Sequence, residues 1–157
     1  MIETRTLPKR LRVIAAAVCL SVPPPSAAGR AQADAIAVEV AGSPGAYEFR
    51  VTVRSPDQGC SRYASWWEVL HPDGTLVYRR ILNHSHPDEQ PFTRAGGPVS
   101  VSADETLVVR AHLHPDGYGG QVLRGSVRRG FEPWRDAPAD FASGLARAEP
   151  QPERCLY

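Results

Sequence analysis

Histidine is the residue type whose placement in this chain is best suited to chemistry. All five histidines lie in or beside a His-Pro-Asp tripeptide: His71-Pro72-Asp73, His86-Pro87-Asp88 and His114-Pro115-Asp116, with His84 and His112 each two residues ahead of a copy. Residues two apart in extended backbone project to the same face. Each of the pairs His84/His86 and His112/His114 therefore presents two imidazoles on one side. Imidazole is a ligand for zinc, copper, nickel and iron, and affinity among the divalent ions peaks at copper. The spacing predicts a copper or zinc site formed by His84, His86, His112 and His114 where two strand ends meet. Asp88, Glu89 and Asp116 are placed to supply carboxylates that hold the ring tautomers, or a further ligand.

The tripeptides themselves have a simpler explanation. Proline presets φ, Asp and Gly supply turn geometry, and the residue before proline is pushed into extended conformation. His71 in His71-Pro72-Asp73-Gly74 needs no other role. Any chemistry lies in the extra histidines, His84 and His112, which turn structure does not require.

The segment ahead of these motifs indicates the compartment. Arg5, Lys9, Arg10 and Arg12 precede the apolar run Val13 to Val22, and small residues follow at Ser26-Ala27-Ala28 and Ala31-Gln32-Ala33. The run is well short of the ~20 apolar residues that span a bilayer as a helix. Residues 1–33 read as a signal peptide cleaved after Ala33. Ala16-Ala17-Val18 before Cys19 lacks the Leu or similar residue that a lipobox usually places three positions ahead of its cysteine, so lipidation is not the reading adopted.

The leader takes five of the 18 basic residues and one of the 17 acids, leaving 13 against 16 and a formal net charge of −3. The remaining basic residues are scattered arginines, which argues against a nucleic-acid footprint. No membrane span is expected once the leader is gone. Two of the three cysteines remain, Cys60 and Cys155, and in an oxidising compartment an even pair predicts a disulfide. The expected location is periplasmic or secreted.

The elements that must position the histidines are strands. Tyr47 to Arg54 alternates apolar and polar residues without a fault, and Ala35 to Val40 is its partner across the turn Gly42-Ser43-Pro44-Gly45. Trp66 to His71 and Thr75 to Leu82 flank an Asp-Gly turn as a hairpin. Thr106 to His114 and Gln121 to Arg128 repeat that plan around Pro115 to Gly120. Residues 83–98 read as a long loop, followed by a short strand Val99-Ser100-Val101. Of Trp66 and Trp67, alternation puts one in the core and leaves the other partly exposed.

The predicted fold is all-β: a single antiparallel β-sandwich, immunoglobulin-like in outline, over residues 34–130. An open barrel or jelly roll is the alternative. Residues 131–157 form an extended C-terminal tail pinned by Cys155, with a short helix between Ala139 and Arg147. Three functions fit: an exported carrier or sensor of copper or zinc, a non-catalytic module binding a protein or glycan without metal, and a metal-dependent enzyme.

Overall fold

The structure, a computed structural model, describes residues 31–156. The apolar run and Cys19 of the leader lie outside the described residues. Eight strands follow in order: β1 (Asp34–Ser43), β2 (Ala46–Arg54), β3 (Tyr63–Leu70), β4 (Leu76–Ile81), β5 (Phe92–Val99), β6 (Leu107–His114), β7 (Leu123–Ser126) and β8 (Gly130–Pro133). They form two antiparallel sheets, β1-β2-β5 and β4-β3-β6-β7-β8. The chain crosses between sheets after β2, β4 and β5, as in immunoglobulin-like sandwiches.

The core follows from alternation. Tyr47, Phe49, Val51 and Val53 of β2 point inward and meet Trp67, Val69, Leu107, Val109, Ala111 and Leu113 of the opposite sheet. Both hairpins form as expected, β3 pairing with β4 and β6 with β7. In the first, His71 N–H donates to the Thr75 carbonyl and Gly74 N–H to the His71 carbonyl, the turn geometry its residues call for.

The expected loop over residues 83–98 is shorter than the sequence indicates, because its second half is β5 paired with β2. Gly96, Gly97 and Pro98 disguise that strand. A Cβ at Gly96 would come within 2.8 Å of the Tyr78 hydroxyl and 2.9 Å of Trp67, so glycine makes room for the core. Proline is tolerated because β5 is a sheet edge.

At the other end of the domain, Ala33 is a core residue, 2% exposed, and Arg62 donates to the Ala31 carbonyl. The packed structure therefore includes residues ahead of Asp34.

Every residue of β3 is buried, on both faces. Trp66 is 2% exposed and Trp67 0%, so the expectation of one partly exposed tryptophan is corrected. The covering layer is the C-terminal tail, which lies on the outer face of the larger sheet. Its one helix among the described residues is a 3-10 helix, Ser143–Arg147, shorter than the span expected from sequence. The disulfide Cys60–Cys155, with Cα atoms 5.6 Å apart, fastens its far end. Closing a loop between residues 95 apart stabilises by about 4–5 kcal/mol on the chain-entropy account.

Candidate functional site

Three charged residues stand in one cross-strand row on the outer face. Glu68 pairs in register with Arg79 of β4 and Arg110 of β6. Glu68 Oε2 accepts from Arg79 Nε at 2.9 Å, and Oε1 accepts from Arg110 Nε at 2.8 Å. All three side chains are almost fully buried. Taking such charges from water is offset only when every lone pair and proton is engaged. The tail completes that requirement. Arg79 donates to the carbonyls of Leu145, Ala148 and Pro150 at 2.7, 2.6 and 2.9 Å. Arg110 donates to the carbonyls of Phe141 and Ala142. The row is thus a clasp for backbone.

Beside the clasp, between the sheet and the tail, a cleft of about 680 Å³ opens. Tyr63, Ser65 and Trp66 of β3 and His112 and His114 of β6 form its floor and wall; Arg147, Gln151, Arg154 and the disulfide form its other side. The ring of His112 stacks on Trp66 at 3.7 Å, and its Nδ1 lies 2.8 Å from the Ser65 hydroxyl. Burial, reinforced by the nearby Arg79 guanidinium, pushes the His112 pKa down to about 3. His112 is therefore neutral at any physiological pH. Tyr118 meets its ring edge-on, takes Arg110 over its own face at 3.5 Å, and accepts a 3.3 Å bond from the Trp66 indole. Burial and the Glu68 carboxylate raise its hydroxyl pKa to about 12, so it remains protonated.

His84 and His86 follow the β4 end. His84 is exposed and forms a parallel bridge with Leu156. His86 is 5% exposed, its ring stacked on Phe92 at 4.0 Å and 4.5 Å from that of His84. Among the described residues neither of its ring nitrogens has a hydrogen-bond partner, and burial lowers its pKa. The nearest carboxylate is Asp57, whose Oδ2 lies 3.9 Å from Nδ1. Asp57 accepts from the Ser55 hydroxyl, the Ala64 N–H and the His86 N–H.

The two rings of each His-x-His pair therefore share surroundings, as period-two spacing implies. The cleft takes in His112 and His114, while neither His84 nor His86 lines it. Among the described residues, no group of three or more His, Cys, Asp and Glu side chains is arranged to hold a metal ion. Of the expected carboxylate partners, Glu89 binds Arg94 and Asp116 binds Arg62. Asp88 is exposed.

Several residues important here gave no signal in the sequence. Asp57 sits in an ordinary Ser-Pro-Asp turn, and Ser65 precedes the tryptophans without a motif. Arg147 and Arg154 lie in a tail that reads as plain connection.

No family model matches the chain, and no solved structure matches it. A "Putative lipoprotein" of Halomicrobium mukohataei is 40% identical over 78 residues, 50% of this chain and 38% of that protein. The chain thus matches well under half of that relative's length. No helix among the described residues is long and apolar enough to cross a membrane.

Proposed function

We propose that this chain is an exported, envelope-associated β-sandwich that binds a ligand without catalysis, in the cleft between the larger sheet and the tail. The leader and the relative's designation as a lipoprotein support the location. The observation that carries the binding reading is the cleft itself: about 680 Å³, the size that takes a small organic ligand, with aromatic walls and a few polar groups. His112 is neutral and stacked, which suits it to a fixed wall rather than to proton transfer. Fragment screening by NMR tests this. Bound fragments should perturb Tyr63, Trp66, His112 and His114 together; perturbations confined to other surfaces would reject the cleft.

A second reading, binding of copper or zinc, is favoured by His86. A buried imidazole with both nitrogens unpartnered costs about 1–3 kcal/mol, which a metal ion shared with His84 would offset. On this reading His112 and His114 contribute separately or not at all, since the arginines of their cleft repel a divalent cation. Titration with Zn(II) or Cu(II) should then give binding that His86→Ala removes and that His112→Ala leaves in place. Absence of stoichiometric binding would discard the metal reading and the metal-dependent enzyme with it.

A further inference from the structure

The charge around the cleft restricts what it can hold. Arg147 and Arg154 line it from the tail, and among the described residues no Asp or Glu does. Glu153 lines the smaller neighbouring cleft, to which Arg154 also contributes. Neither arginine makes a hydrogen bond or ion pair among the described residues. Most other arginines near the cleft are committed: Arg79 and Arg110 to Glu68 and the tail carbonyls, Arg62 to Asp116. Two uncommitted guanidiniums beside a partly enclosed, aromatic-walled space favour negative charge, because low-dielectric walls focus their field. Guanidinium also matches a carboxylate in fork geometry.

The opposite wall complements this. His114 is exposed at the cleft and stands against Tyr63 at 5.7 Å. The Ser65 hydroxyl and Nδ1 of His112 are hydrogen-bonded at 2.8 Å, which holds that ring in place on the wall. Gln151 spends its side-chain amide N–H groups on the carbonyls of Ala146 and Ala148, which fixes the tail's shape at the rim.

We infer that the cleft binds a small organic anion, of mono- to disaccharide size, with its carboxylate toward Arg147 and Arg154 and its body along the wall that carries Tyr63 and His114. This rests on the cleft reading above and adds the ligand's charge class to it. The tail supplies the charge and the sheet supplies the surface.

Galacturonate and galactose form a matched pair of probes that differ by a carboxylate. Calorimetric titration of the exported, disulfide-bonded chain at low ionic strength should show galacturonate bound at least tenfold more tightly than galactose. The advantage should shrink as salt is added. The double variant Arg147→Gln/Arg154→Gln should lose it without a change in melting temperature, since both side chains are exposed. Equal affinity for the two sugars, or an advantage that survives in the double variant, overturns the anion inference and leaves the cleft reading standing. Inorganic sulfate binding as tightly as galacturonate overturns the organic half of it. Failure of all three probes to bind also overturns it, and the fragment mapping then decides separately whether the cleft is a site.

Discussion

The two His-x-His pairs share a spacing and differ in almost everything else. His112 lies within a strand, stacked on Trp66, with a hydroxyl at Nδ1. His86 lies in a loop, stacked on Phe92, with neither nitrogen partnered. Spacing fixes which side a ring takes; the next sheet or loop fixes what the ring meets. The strand pair was given a wall by the tail, and the loop pair was given a carboxylate, Asp57, that bonds backbone rather than ring.

The largest expected effect is on the strand side. Glu68→Ala would leave two buried guanidiniums without their counter-charge and should cost about 3–5 kcal/mol in urea unfolding. A loss below 1 kcal/mol would mean that the tail carbonyls alone satisfy the arginines.

Leucine, close to imidazole in volume, separates the pairs next. His112→Leu removes the partner of the Ser65 hydroxyl and should destabilise by about 1–3 kcal/mol. His86→Leu removes two unpartnered nitrogens and should be neutral or stabilising by about 1 kcal/mol in metal-free buffer. The same sign for both would erase the distinction drawn between them.

Acid should act through the neutral rings. The folded pKa of His112 is about 3 against an ordinary 6.5, so the unfolded chain takes up its proton first. That contribution is fully present above pH 6.5 and is lost progressively as the pH falls from 6.5 toward about 3. His86 adds a slope of the same sign. His112→Leu should flatten the melting temperature between pH 6 and 4 by more than His86→Leu does; the reverse order would put the more deeply perturbed ring on the loop.

The smallest effect concerns the chain's start. Ala33 is in the core, and a Cβ at Gly120 would strike its carbonyl, so cleavage after Ala33 would cut into packed structure. Intact-mass measurement of exported protein should find an N terminus ahead of Ala33, among the small residues Ser26-Ala27-Ala28. A chain starting at Asp34 would show that this packing is dispensable.

Most of the sandwich was legible because one-sided burial writes alternation into a strand, as in Tyr47 to Arg54. The hairpins were legible from their turn residues, and the disulfide from the two cysteines that remain once the expected leader is set aside. β5 was not, because Gly96 and Pro98 answer to Tyr78, Trp67 and an edge position, which are tertiary facts. The outer face of β3 misled for a related reason. Glu68, Arg79 and Arg110 have the polarity of a solvated face, and only the tail's arrival makes them interior. The candidate cleft was half legible: its histidines by spacing, its arginines not at all.

The clasp grips carbonyl oxygens, which every residue type possesses. Residues 141–150 are consequently gripped at their backbone, and exposed side chains of the strap can be exchanged without loosening that grip. Arg147 of that span and Arg154 just beyond it are exposed and take no part in the clasp. Selectivity at this cleft is thereby separable from folding, so that evolution or an engineer could retune what is bound by rewriting a few tail residues over an unchanged sheet.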